Sequence, residues 1–75
     1  MILVIGASGF IGSHVANQLL EAGRLVRALV RPGGNRENLR PLVDRGLQIV
    51  EGDLLDPISI RRALAGVRVV QHVAG

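Results

Sequence analysis

Three glycines, Gly6, Gly9 and Gly12, stand at every third position of IGASGFIG, residues 5–12, directly behind the apolar run MILVI. Glycine leaves backbone N–H groups uncovered and tolerates positive φ. A helix starting here adds its own unpaired amides and the positive end of its dipole. Such a turn is suited to binding an anion, and above all a diphosphate. Gly6 would turn the chain sharply, Gly9 would let the phosphates come close, and Gly12 would let the helix lie near the preceding strand. The plainer alternative is a tight turn between two packed elements, with no ligand. Two rival chemistries fail. A P-loop needs a lysine after its glycines, and the chain has none. A GxSxG nucleophile elbow needs glycine at position 10, where Phe10 stands. Ser8 therefore reads as a donor to phosphate or ribose rather than a nucleophile.

About 20 residues past such glycines, sites for NAD place a carboxylate on the ribose 2′-hydroxyl. Here that region is Val30-Arg31-Pro32, and the nearest acid is Glu37, beyond the loop. An arginine at this place attracts a 2′-phosphate and can grip it in bidentate fashion. Arg31 is thus expected to select NADP(H), with Arg36 as a second charge and NAD as the alternative coenzyme. The plainer reading of both is a solvated loop arginine, most of all for Arg36. His14 and His72 are too few and too far apart in sequence for a metal site, and both read as packing or surface residues. No catalytic residue and no metal ligand is assigned.

The elements that must position these residues follow from the rest of the chain. Its 75 residues allow one domain at most, and a chain of this size buries only about 60% of its unfolded surface. Hydrophobic residues make up 48%, with Phe10 the sole aromatic, so the core is aliphatic. The absence of cysteine excludes disulfides and a thiol nucleophile, and it fits a reducing, cytoplasmic setting. No apolar run approaches the ~18 residues of a membrane span, and MILVIG is too short for a signal peptide. All nine basic residues are arginines, spread among six acids. Without a basic cluster or aromatic platform they do not suggest nucleic acid.

Hydrophobic periodicity alternates between short apolar runs and helical spacing. Strands are expected at 2–5, 25–30, 47–50 and 67–73. A first helix should run from Gly9 to Ala22, with Ile11, Val15 and Leu19 as its buried face and Gly23 as its stop. A second should run from an Asn35 cap to about Arg45, burying Leu39, Leu42 and Val43 and ending at Gly46. Asp56 and Pro57 open a third, which should reach Ala65 before Gly66. Strands separated by helices imply parallel pairing and right-handed crossovers. The expected fold is α/β: a Rossmann-type doubly wound parallel sheet, β-α-β-α-β-α-β, in strand order 3-2-1-4.

GASGFIGSHVANQLLEAG resembles the extended short-chain dehydrogenase/reductase superfamily, which includes sugar-nucleotide epimerases and dehydratases. VRALVRPGGNRENL, VEGDLLDP and VVQHVAG match in order and spacing, and together they resemble its dihydroflavonol-reductase-like branch. The resemblance implies that Gly6, Ser8, Gly9, Phe10, Ile11 and Gly12 line a pyrophosphate turn. It implies that Asp53 and Leu54 sit by the adenine, where the plainer reading of Asp53 is a turn residue bonded to its own backbone. It places Val73, Ala74 and Gly75 under the adenosine ribose. Such enzymes use a tyrosine and a lysine four residues later, and the chain contains neither residue type. The expectation is therefore the N-terminal part of a dinucleotide-binding domain, from an enzyme that transfers hydride at a carbonyl or sugar carbon. The alternative is a non-catalytic NAD(P)-binding module, a redox sensor or structural subunit. Taken alone, such a unit is expected to be marginally stable or to self-associate through the open edge of its fourth strand.

Overall fold

Alternation along the strands decides the layers. In the computed structural model, which describes residues 1–73, β1 (Ile2–Ile5), β2 (Val26–Val30), β3 (Gln48–Glu51) and β4 (Val69–His72) form one parallel sheet in the order β3-β2-β1-β4. This is the expected order, with the switch point between β1 and β4. Register pairs Ile2 with both Val26 and Val69, and Arg27 with Gln48. Ile2, Val4, Val26, Ala28 and Val30 pack on one face, and Leu3 and Leu29 on the other. A central strand clothed on both faces must be apolar throughout, which is why ILVI shows no alternation. Among the described residues no helix is long and apolar enough to cross a membrane.

Helix α1 (Phe10–Glu21) covers the first face through Gly12 and Ala16, with Leu19 and Leu20 beside them. This corrects the expected stripe: Ile11 is 61% exposed. The seat of the helix is set by its smallest residues, which bring the two backbones together, rather than by its bulkiest. The helix ends as expected at Gly23, whose φ is +78°. There Arg24 N–H donates to Leu19 O and Gly23 N–H to Leu20 O, the double bond of a Schellman ending.

The second helix departs from expectation. The chain makes a single 3₁₀ turn, Glu37–Leu39, and only then the short α2 (Arg40–Val43). Pro41 is the reason. In a helix from Asn35 to Arg45 it would lie in the interior, where it lacks an N–H and its ring meets the carbonyl four residues back. Asn35 is not the cap expected: Arg36 holds the N-cap position with no side-chain cap bond, and Asn35 Oδ1 closes a local turn, accepting from Glu37 N–H at 2.9 Å. Leu39 and Leu42 are buried as expected, but Val43 is 45% exposed. Leu25 also falls outside its expected strand and is exposed.

Helix α3 (Pro57–Ala63) covers the opposite face, with Ala63 buried and Ile60 half-buried beside Leu3 and Leu29. Asp56 caps it as expected, Oδ1 accepting from Ile58 N–H at 3.1 Å. Its other end is held by Arg27 of β2. Nη1 donates to the carbonyls of Ala63 and Ala65, both at 2.7 Å, and Nε to Gln48 Oε1 at 3.1 Å. A guanidinium there satisfies carbonyls that the helix cannot bond itself. Asp56→Ala is expected to cost about 1 kcal/mol. A urea melt checks this: the midpoint should fall with the slope unchanged, and an unmoved midpoint contradicts the cap.

Candidate functional site

The carboxyl ends of the strands open onto a cleft of about 700 Å³, beside the switch point where doubly wound sheets bind ligands. The glycine turn forms one wall. Gly6 leaves β1 at φ +86°, and a Cβ on it would overlap the Val73 carbonyl oxygen. A Cβ on Gly12 would overlap the Gly6 carbonyl oxygen and come within 2.8 Å of Ala7 Cα. Both glycines are demanded by the fold itself. Gly9 is different. Its φ of −74° and ψ of 171° suit any residue, and the nearest atom to an added Cβ would be Gly6 O at 3.7 Å. Nothing within the described chain requires glycine at this position.

Gly9 is the N-cap of α1, and no side chain caps the helix. The first bond that closes a helical turn runs from Ser13 N–H to Gly9 O at 2.9 Å. The amides of Phe10, Ile11 and Gly12 therefore form no backbone bond among the described residues, and they remain open donors. No acidic side chain lies in this first turn to neutralise the positive end of the helix. The turn can thus accept an anion without first losing a partner. Ser8 is half-buried and lines the cleft, while its carbonyl accepts from Asn38 Nδ2 at 3.1 Å.

The second wall is the turn after β2. Arg31-Pro32-Gly33-Gly34 closes with Gly34 N–H donating to Arg31 O at 2.8 Å. Proline at the second position and Gly33 at φ +75° make it a type II turn. Arg31 is exposed on the cleft rim and makes no ion pair or side-chain hydrogen bond among the described residues. Arg36 stands just outside and pairs with Glu51 at 3.3 Å.

The third wall follows β3. Asp53 lines the cleft half-buried, its Oδ1 accepting from Leu55 N–H at 2.9 Å. No bond to Oδ2 forms among the described residues, so the carboxylate serves its turn and still has an oxygen to offer. Ser59 Oγ bonds both the N–H and the carbonyl of Asp53, fixing this loop on α3. Leu54 and Leu55 present exposed apolar surface to the same space.

Of the residues singled out from sequence, Gly6, Ser8, Arg31, Asp53, Leu54 and Val73 line the cleft together. Gly9, Phe10, Ile11 and Gly12 form the turn beside it, with Phe10 86% exposed. Arg36 lies to one side, and Ala74 and Gly75 lie outside the described residues. Sequence reasoning missed Asn35, Gly52 and His72, which also line the cleft, and Asn38, which braces Ser8. His72 could have been placed from the strand order: β4 beside β1 sets it level with Ile5. Among the described residues no group of three or more His, Cys, Asp or Glu side chains could hold a metal ion.

Comparison with known proteins gives this geometry a context. A family model described as NmrA-like family matches residues 1–75. Dihydroflavonol 4-reductase of Hordeum vulgare is 42% identical over 78 residues, covering 97% of this chain and 22% of that protein. NAD(P)H azoreductase of Xenophilus azovorans is 43% identical over 67 residues, covering 89% of this chain and again 22% of that protein. The solved binary complex of leucoanthocyanidin reductase with NADPH, from Vitis vinifera, matches with a TM-score of 0.86 at 31% identity. It covers 99% of this chain and 26% of its own. The chain thus spans 22% of the length of both curated relatives.

Proposed function

The chain belongs to the NmrA-like family, and from that premise we propose that it is the NADP(H)-binding segment of a reductase or epimerase of the extended short-chain dehydrogenase type. Relatives named dihydroflavonol 4-reductase bear out the resemblance read from its motifs. One observation carries the proposal. Of three glycines in one turn, two are required by the fold, and the third faces open space at the mouth of a helix. A ligand that must approach the backbone gives a reason for glycine there beyond its fitness as an N-cap.

In this reading Gly9 and the amides of Phe10, Ile11 and Gly12 hold the pyrophosphate, with Ser8 as a further donor. Gly6 and Gly12 shape the turn. Asp53 accepts from the adenine amino group through Oδ2, and Leu54 covers the ring. Val73 lies under the adenosine ribose. Arg31 takes the 2′-phosphate, since β2 is followed directly by an arginine that makes no ion pair among the described residues, and by no acid before Glu37. When bound, the coenzyme supplies the hydride; the residues of this chain bind and orient it. The whole protein would use that hydride at a carbonyl or sugar carbon.

Titration of this chain with NADPH and NADH, followed by calorimetry, tests the reading. Tighter binding of NADPH is expected. Equal affinities would remove the role of the 2′-phosphate, and no binding of either coenzyme would remove the proposal. Arg31→Gln is expected to weaken NADPH about tenfold, or ~1.4 kcal/mol, and to leave NADH unchanged. An equal loss for both coenzymes would count against the 2′-phosphate contact.

A further inference from the structure

Arg36 and Glu51 join the loop after β2 to the end of β3, beside the cleft. Gly34 and Asn35, just before Arg36, line the cleft, and so do Gly52 and Asp53, just after Glu51. The ion pair therefore sits one residue behind the wall on each side. Arg31 is close by in the fold: it follows Val30, and Val30 is the register partner of Glu51. Two arginines and one carboxylate thus gather at the ends of β2 and β3. The pair spans 3.3 Å between Nη2 and Oε2, with the side chains 39% and 55% exposed.

We propose that Glu51 sets coenzyme selectivity, by occupying Arg36 and so competing with the 2′-phosphate for it. The inference rests on the coenzyme reading of the cleft. A half-exposed pair of this kind is weak, and a phosphate monoester carries about two negative charges at neutral pH. The phosphate can therefore take Arg36 from Glu51, but it must displace one carboxylate and lie near it afterwards. Both effects oppose NADP(H) and leave NAD(H), which lacks that phosphate, untouched. Glu51 thereby keeps the site less selective than its two arginines would make it.

The test compares the parent chain, Arg36→Gln, Glu51→Gln and Arg36→Gln/Glu51→Gln, each titrated with NADPH and NADH at low and high salt. Glu51→Gln is expected to bind NADPH about fivefold more tightly and to hold NADH within about twofold. The gain should shrink as salt shortens the reach of the charges, and it should be smaller between Arg36→Gln and the double variant, where only the nearby charge of Glu51 is removed. An unchanged or weaker NADPH affinity in Glu51→Gln overturns this inference alone, as does a gain of equal size in the Arg36→Gln background. Failure of the parent chain to bind NADPH overturns the coenzyme assignment, and this inference with it.

Discussion

Gly9→Val is expected to bind NADPH on the order of a hundredfold more weakly than the parent chain, a loss of ~2.7 kcal/mol, while remaining folded. The backbone at Gly9 suits any residue, and an added Cβ meets nothing closer than 3.7 Å. The structural cost is that of a poor N-cap, about 1 kcal/mol. The functional cost is larger, because the branched side chain stands where a phosphate must reach the amides of the first helical turn. Circular dichroism checks the fold and calorimetric titration checks the affinity. Full NADPH affinity in a folded Gly9→Val chain would remove the phosphate role of the turn.

Gly12→Val gives the opposite pattern, a large loss of stability. At about 0.05–0.15 kcal/mol per residue, a chain of this length has roughly 4–11 kcal/mol of stability. A Cβ at Gly12 overlaps the Gly6 carbonyl oxygen and crowds the Ala7 backbone, and neither can rotate away. Replacing glycine within a helix normally gains up to ~1 kcal/mol from propensity. Here the overlap costs more, ~3 kcal/mol or above once α1 is pushed off the sheet. A thermal melt is the measurement. A melting temperature equal to or above that of the parent chain would mean that helix and turn do not touch as described. Two glycines three residues apart thus separate binding from folding.

The sequence made legible whatever depends on neighbours in the chain. Asp56-Pro57 announces a helix because an oxygen acceptor and a missing N–H act locally. The strand order could be read because parallel strands need crossovers, and crossovers have one hand. The seat of α1 is legible at Gly12, whose spacing marks a close approach, but not at Ala16, because bulk points to Ile11 instead and close approach selects the small residue. The break in the second helix was legible in Pro41 and was passed over. Asn38 was beyond reach for another reason: it braces Ser8 from 30 residues away, and no local rule brings those two residues together. The pairing of Arg36 with Glu51 is hidden in the same way, since it exists only once β2 and β3 lie side by side.

The bonds from Arg27 to the last carbonyls of α3 have a mechanical consequence. They pin that helix at its heel, on the side of the sheet away from the cleft. Its toe carries Asp56 and the residue 52–55 loop, which faces the cleft. Ser59 ties that loop to the near end of the helix, so one wall of the cleft hangs on β2 through α3 and a single guanidinium.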